Sequence, residues 1–230
     1  MLLCAGDSFG RFSTPLGNKK YANGVSAVEL LIDKLNITGT EIAWPGASVD
    51  ATVAKTIDHI TKNKGIKFLV FYITANVRIM YSTRETDDYY FADSGYNDSD
   101  FFNDQEIFNV HSNDGKGHTP DAFKYFLHQP TYKKYYDRYA YINFLSNVCK
   151  MRGINILYVY TTNNELDSQL LLNNSDHVRF IDLGDVKRMI TSPADMKHRG
   201  GNHLYPEEHK AFLEKILNLH ESFILNSLQK

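Results

Sequence analysis

The sequence of 230 residues has few cysteines and no long apolar run. Its two cysteines, Cys4 and Cys149, cannot build a disulfide scaffold, and both stand in apolar stretches. We therefore expect two small buried side chains in a reducing compartment. No stretch approaches the roughly 20 apolar residues that a membrane-spanning helix needs. The sequence has neither a Gly-x-Gly-x-x-Gly nor a P-loop pattern, which disfavours a nucleotide-binding protein.

The chain also lacks an excess of charge of either sign. It has 25 Lys and Arg against 27 Asp and Glu, a formal net charge of −2 at pH 7. This balance gives no electrostatic reason to expect nucleic acid or an anionic membrane as a partner. The first five residues form no basic leader and run at once into Gly6 and Asp7, unlike a signal peptide. We expect a cytoplasmic or otherwise intracellular protein.

What the sequence does contain is 43% hydrophobic and 13% aromatic residues, too many for intrinsic disorder. Short apolar runs alternate with amphipathic segments, which predicts one α/β domain over residues 1–230 with a five-stranded, mostly parallel sheet. The predicted strands are 1–5, 41–43, 67–73, 154–160 and 177–183.

Helical spacing of apolar residues predicts four helices. The first has Asn23 or Ser26 available as its N-cap, and the second covers roughly 49–62. The third covers about 131–151, and we expect one of its faces to contain Tyr141, Phe144, Leu145 and Val148. The last begins at Pro206, where Glu207 and Glu208 suit the positive end of the helix dipole. Its expected buried residues are Leu213, Ile216, Leu217 and Ile224.

One segment, about 79–118, departs from this alternation. It has nine acidic and two basic residues, a net charge of −7, so the rest of the chain carries +5. It also contains eight Tyr and Phe residues. A connection of this length in a compact domain is usually a lid, a binding loop or a disordered stretch. The aromatic content favours order, because these rings need something to pack against.

A serine follows the first predicted strand, in Gly6-Asp7-Ser8-Phe9. Open α/β sheets place their sites just past the carboxyl ends of strands, so the Ser8 hydroxyl would be exposed and its backbone N–H free to meet a ligand. Ser and Asp are also common in ordinary turns after strands, so these four residues alone leave both interpretations open.

Two further segments after predicted strands could supply hydrogen-bond donors. Gly46, in the segment 44–48, would let a backbone N–H approach a reacting oxygen without a side chain in the way. Asn76 follows the central strand, and its side-chain amide can donate to a developing oxyanion. A plain turn explains the first equally well, and Asn is common at strand ends.

His203 lies in the loop that leads into the last helix. A histidine there could reach across the edge of the sheet to a serine and act as its general base. The alternative is an ordinary surface histidine, one of nine in the chain.

The series Ser, Gly, Asn and His resembles the SGNH hydrolases, also called the GDSL esterase/lipase superfamily. Residues 6–9 are similar to the first block of that family, with Phe in place of the usual Leu. Residues 45–48 and 74–77 are similar to the second and third blocks. The segment from His203 to Ile216 is similar to the last block, in which a Pro and a second His follow the catalytic His. The resemblance to a divergent member implies a three-layer α/β/α, flavodoxin-like sandwich.

The resemblance further implies a serine esterase that needs no metal or organic cofactor. Ser8 would be the nucleophile, and His203 the general base. The backbone N–H groups of Ser8 and Gly46 and the side chain of Asn76 would form the oxyanion hole. The acidic insertion disfavours anionic ligands. The expected substrate is therefore a small neutral acyl ester, with an O-acetylated carbohydrate as one candidate.

The acid that orients His203 has several candidates. The family usually has Asp three residues before the His, where this chain has Gly200. A literal Asp-x-x-His occurs at Asp195 to His198, which makes Asp195 a displaced candidate. Asp182 and Asp185 are weaker ones. A dyad supported by a backbone carbonyl is also open, since the acid is the triad member whose loss costs least.

The third block departs from the family too, with Thr74 and Val77 in place of the usual Gly and Asp. Together with Gly200, these departures keep a second hypothesis open, namely a non-catalytic binding or structural module on the same scaffold. A third hypothesis is an acyltransferase that passes the acyl group to a sugar hydroxyl. The oligomeric state is not predicted.

Overall fold

The computed structural model describes residues 1–6, 10, 25–43, 49–73, 78–82, 107–111, 131–160, 175–183, 204 and 206–229. For residues 78–82, 107–111, 131–135 and 206 it describes the backbone alone.

The described ranges contain one parallel sheet and one separate antiparallel ribbon. The strands are β1 Leu2–Gly6, β2 Gly39–Ala43, β3 Phe68–Ile73, β4 Arg78–Ser82, β5 Ile107–His111, β6 Asn155–Tyr160 and β7 Val178–Asp182. Five of them form the sheet in the order β2-β1-β3-β6-β7, with every pairing parallel. Strands β4 and β5 pair with each other alone, and we call them the β4–β5 ribbon. The predicted five-stranded α/β fold is confirmed.

Helices cover both faces of the sheet. They are α1 Ala27–Leu35, α2 Val49–Lys62, α3 Thr131–Met151 and α4 Pro206–Leu228. Leu2 and Cys4 of β1 point to the face covered by α1 and α4, and Leu3 and Ala5 to the face covered by α2 and α3. All six residues of β3 are buried, as expected for the central strand of a sheet covered on both faces. The arrangement is the three-layer sandwich that the sequence predicted.

Helix α1 begins at a capping box. The Ser26 hydroxyl accepts a hydrogen bond from the Glu29 N–H at 3.2 Å, and the Glu29 carboxylate accepts one from the Ser26 N–H at 2.8 Å. Two N–H groups that the first turn would leave unpaired are thereby satisfied. Of the two predicted caps, Ser26 is the one used. The helix ends at Asn36, which adopts the left-handed conformation with φ 50°.

The predicted face of α3 is partly wrong. Leu145 is buried, but Tyr141 and Phe144 are 42% and 57% exposed. The buried side of the helix consists instead of Arg138, Ile142, Leu145, Ser146 and Cys149. Because apolar residues occur on both sides of α3, their spacing did not identify which side meets the sheet.

Helix α4 packs as predicted. Leu213, Ile216 and Ile224 are buried and Leu217 packs partly buried against the same cluster. The described part of the chain contains no helix long and apolar enough to cross a membrane.

Both cysteines are buried and free, as predicted. Burial raises the pKa of the Cys149 thiol to about 12, so at neutral pH it is a protonated, unreactive side chain.

Short backbone connections close the amino edge of the sheet, where the parallel strands begin. The N–H of Leu2 donates to Thr38 at 2.9 Å, and the N–H of Lys67 donates to Met1 at 3.0 Å. The N–H of Ile156 donates to the carbonyl of His177 at 2.8 Å. These bonds connect residues at or just before the start of one strand to residues just before the start of the neighbouring strand.

Candidate active site

The carboxyl edge of the sheet is where the five parallel strands end. The chain leaves β1, forms β2 on one side of it, and returns past it to form β3 on the other side. Strands β1 and β3 are therefore neighbours from which the chain departs in opposite directions. Open α/β sheets bind their ligands outside the carboxyl ends of the strands at such a switch point. The candidate site is thus expected beyond Gly6 and Ile73.

Three predicted site residues belong to segments that leave this edge. Ser8, Gly46 and Asn76 lie outside the described residues. The ends of the strands that precede them are described: Gly6 pairs in register with Ala43, and Ala5 pairs with Phe71, two residues before the end of β3. The three segments consequently start side by side, from strands about 4.8 Å apart.

The remaining predicted residues, His203, His198, Asp195 and Asp185, also lie outside the described residues. Leu204, the residue next to His203, is described and is 1% exposed. It belongs to the same buried cluster as Cys4 and Tyr72, on the face covered by α1 and α4. Leu204 therefore lies on the same face of the sheet as Cys4 and Tyr72, whereas His203 itself lies outside the described residues.

A hydrogen bond joins the first turns of α4 to the start of α1. The backbone N–H of Ala27 donates to Nδ1 of His209 at 3.2 Å, and the imidazole is buried. This ring must carry no proton on Nδ1 to accept the bond. Helix α1 follows β1 and runs back towards the start of β2, so its first residue, Ala27, lies at the carboxyl edge. His209 lies there too, because it contacts Ala27. The candidate site residues named from the sequence do not include His209.

The segment around Ser8 has two described ends, Gly6 and Gly10, and both contact Tyr72. Gly6 has φ 148°, and a Cβ there would stand 2.5 Å from the Cβ of Tyr72. A Cβ at Gly10 would stand 2.9 Å from Cδ2 of Tyr72 and 3.1 Å from Sγ of Cys4. The Cys4 thiol donates to the Gly10 carbonyl at 3.0 Å. Sequence reasoning used Gly6 as a turn residue and missed the role of Gly10.

A carboxylate is buried at the beginning of α4. Glu208 is 1% exposed, whereas the preceding Glu207 is exposed. Unpaired N–H groups of a first helical turn favour a negative charge in that position. The predicted placement of these acids at the helix start is confirmed, but their very different burial depends on packing and was not predicted.

Asp182, one of the weaker candidates for the orienting acid, is the last residue of β7. Its backbone carbonyl accepts a hydrogen bond from Nζ of Lys215 at 2.6 Å. β7 is an edge strand three positions from β1, about 14 Å across the sheet. Asp195 and His203 lie outside the described residues, so the choice of the orienting acid stays a prediction.

The insertion at about 79–118 contains the β4–β5 ribbon, which sequence reasoning did not predict. β4 begins at Arg78, five residues after the end of β3, and lies beside α2. Its register pairs Arg78 with His111 and Ser82 with Ile107. The ribbon therefore leaves the sheet at the carboxyl edge, next to the segment that contains Asn76. The other residues of the insertion lie outside the described residues.

Within the described ranges, no group of three His, Cys, Asp or Glu side chains is arranged to hold a metal ion. The absence of a cofactor therefore stays a prediction. The chain was also compared with known proteins. No protein-family model matches the sequence, and no curated protein matches it.

Proposed function

We propose that this protein is a serine esterase of the SGNH type that cleaves a small neutral acyl ester. Ser8 is the nucleophile in this proposal and attacks the carbonyl carbon of the ester. His203 removes the proton of the Ser8 hydroxyl and later delivers it to the leaving alcohol. Asp195 orients the imidazole of His203. A water molecule, activated by the same histidine, then releases the acyl group from Ser8.

The proposed oxyanion hole has three donors: the backbone N–H groups of Ser8 and Gly46, and the side-chain amide of Asn76. Such donors stabilise the negative oxygen of the tetrahedral intermediate more than the neutral carbonyl of the substrate, which is why they raise the rate. Their segments follow β1, β2 and β3, which are neighbours in the order β2-β1-β3.

One observation carries the proposal: described residues close in sequence to the suggested nucleophile and base meet at the same buried cluster. Cys4 and Tyr72 contact Gly10, two residues after Ser8, and Leu204 directly follows His203. All three cluster members lie on the face covered by α1 and α4. This shared cluster supports a pairing of Ser8 with His203, although 195 residues separate them along the chain.

The proposed substrate class follows from the insertion. It carries a net charge of −7 and eight aromatic rings, and its β4 begins beside the segment with Asn76. Acidic surroundings disfavour anionic substrates, and aromatic rings can stack on the faces of sugars. We propose an O-acetylated carbohydrate as the substrate class to test first.

The test is hydrolysis of a short-chain aryl acetate by the wild-type protein, Ser8→Ala and His203→Ala. We expect each substitution to lower kcat by at least about 10³-fold, because nucleophile and base act as one unit. Gly65→Ala is the matched control, since a Cβ at Gly65 meets no atom within 4 Å. Wild-type turnover no faster than that of Ser8→Ala would remove the esterase proposal.

Two further measurements separate the other hypotheses. A fluorophosphonate probe reacts rapidly only with an activated serine, so labelling of Ser8 would exclude the non-catalytic module. Release of acetate in water without any sugar acceptor would count against the acyltransferase.

A further inference from the structure

We infer that Cys4 and Tyr72 are positioning residues for Ser8. They act on Ser8 indirectly, through their contacts with Gly6 and Gly10. This inference rests on the proposed role of Ser8. Ser8 is two residues from each of these glycines. Both glycines contact Tyr72, which lies on β3 and is 1% exposed. The five residues from Gly6 to Gly10 therefore begin and end on one side chain that the core holds in place.

The requirement for glycine differs between the two ends. Gly6 has φ 148°, which side chains of other residues rarely allow, and it also touches the Cβ of Tyr72. At Gly10 the close approach to Tyr72 and Cys4 leaves little room for a side chain.

Cys4 also binds Gly10 directly through a hydrogen bond. Its thiol donates to the Gly10 carbonyl at 3.0 Å, and the side chain is fully buried. A thiol is a weak donor, so we assign this contact a role in orientation and little role in stability. A methyl group at Gly10 would push the backbone away from Cys4 and Tyr72. A displacement of about 1 Å at reacting atoms can cost roughly 10²-fold in rate.

The test uses Gly10→Ala in the full chain and measures the labelling rate of Ser8 by a fluorophosphonate, with the labelled peptide identified by mass spectrometry. We expect labelling and kcat for an aryl acetate to fall by about 10- to 10²-fold, with KM changed by less than about twofold. Gly39→Ala is the matched control for strain, because its Cβ would meet the side chain of Ile32 at the amino edge. That variant should lower the melting temperature without slowing the labelling of the folded protein.

A second pair of variants tests Cys4. Cys4→Ser keeps a donor to the Gly10 carbonyl and should label at close to the wild-type rate, whereas Cys4→Ala should label several-fold more slowly. The double variant Cys4→Ala with Gly10→Ala should label faster than Gly10→Ala alone, because the added methyl group enters the space that sulfur leaves. Such recovery is a coupling that a general loss of stability does not produce.

The outcomes separate the two proposals. If the wild-type protein is labelled at Ser8 and Gly10→Ala is labelled equally fast, the positioning role is overturned and the esterase stands. If the wild-type protein is not labelled at Ser8, the esterase is overturned and the positioning role falls with it. Should Gly10→Ala fail to fold, equal labelling of Cys4→Ala and the wild-type protein would still overturn the role of the thiol.

Discussion

The two edges of the parallel sheet differ in how the chain leaves them. At the amino edge, helices pass into strands through residues 36–38, 63–67 and 152–154, three to five residues each. At the carboxyl edge, the stretches from the end of a described strand to the next described helix are 7–26, 44–48, 74–130 and 183–205, and among these described bounds 44–48 is the short one. Two of the short connections accept hydrogen bonds from neighbouring strands: the Leu2 N–H donates to the Thr38 carbonyl, and the Asn155 N–H donates to the Lys67 carbonyl.

This difference favours the carboxyl edge as the place of the proposed site and the amino edge as scaffold. Connections of three to five residues whose backbone groups bond to the sheet have little freedom to shape a site. Long segments on a rigid scaffold are where binding and catalytic residues concentrate. Every residue of the proposed site lies in a carboxyl-edge segment.

The four histidines whose side chains the structure describes lie at different ends of the sheet. His59, His177 and His220 lie in the last turn of α2, just before β7 and in the second half of α4, all away from the carboxyl edge. Burial is the main cause that lowers the pKa of each. His209 lies at the carboxyl edge, in contact with the start of α1. The three histidines away from that edge have no part in the proposed chemistry.

The largest expected contrast between the edges comes from two asparagines. Asn76→Ala should lower kcat by about 10²–10³-fold, because it removes a proposed oxyanion donor, and should leave the melting temperature unchanged. Asn63→Ala is the matched variant at the amino edge, where the exposed Asn63 side chain donates only to the carbonyl of His59. Steady-state hydrolysis of an aryl acetate measures both. Equal kcat values for the two variants would contradict the assigned role of Asn76.

Gly39→Ala should produce the opposite result at the amino edge. The new Cβ would overlap the side chain of Ile32, and overpacking of this kind costs about 1–3 kcal/mol. Urea unfolding measures the free energy of unfolding, with Gly65→Ala as the variant that meets open space. A Gly39→Ala protein as stable as Gly65→Ala would show that this part of the core adapts easily.

Ser26→Ala tests whether the start of α1, at the carboxyl edge, depends on its own cap. Loss of the hydroxyl that accepts from the Glu29 N–H should lower the free energy of unfolding by about 1 kcal/mol. Ser175→Ala, at an exposed position near the amino edge, should change it by less than about 0.5 kcal/mol. The prediction fails if both variants unfold at the same urea concentration.

The smallest expected effect is on the pH dependence of stability. Burial lowers the pKa of His220 in the folded state, whereas an unfolded chain has a histidine pKa near 6.5. The unfolded state therefore binds protons first, and stability should fall as the pH drops from about 6.5 to the lower pKa of the folded state. His220→Gln cannot titrate, so its free energy of unfolding should depend less steeply on pH in this range. An unchanged slope would show that His220 does not contribute.

Local sequence signals predicted most of the scaffold. The bounds of α2 and α3 match the predicted 49–62 and 131–151, because apolar spacing and flanking residues mark the ends of helices. The Ser26 cap and the buried strands follow from equally local chemistry. The error about the buried face of α3 has a different origin. Tyr141, Phe144, Ile142 and Leu145 are all large and mostly apolar, so only the docking of the helix decides which of them are buried.

The candidate site was predicted from the types of residue that follow each strand. Residue types do not indicate which strands are neighbours or which residues lie on the same face of the sheet. Strand order is decided by pairing between distant segments, so only the structure shows β1 beside β3 with Leu204 on the same face as Cys4. The contact of Gly10 with Tyr72 likewise joins two distant segments, because Gly10 follows β1 and Tyr72 belongs to β3. The β4–β5 ribbon has no strong alternation of apolar residues that would have revealed it.

By itself, the sequence determined the α/β alternation, the burial of the cysteines and the chemical groups available after each strand. These properties depend on residues within a few positions of one another, where spacing and side-chain chemistry act directly. The tertiary structure alone decided the order of the strands, which face of α3 is buried and how close Gly10 lies to Tyr72 and Cys4. Those properties depend on packing between segments far apart in the chain, and local patterns do not encode it.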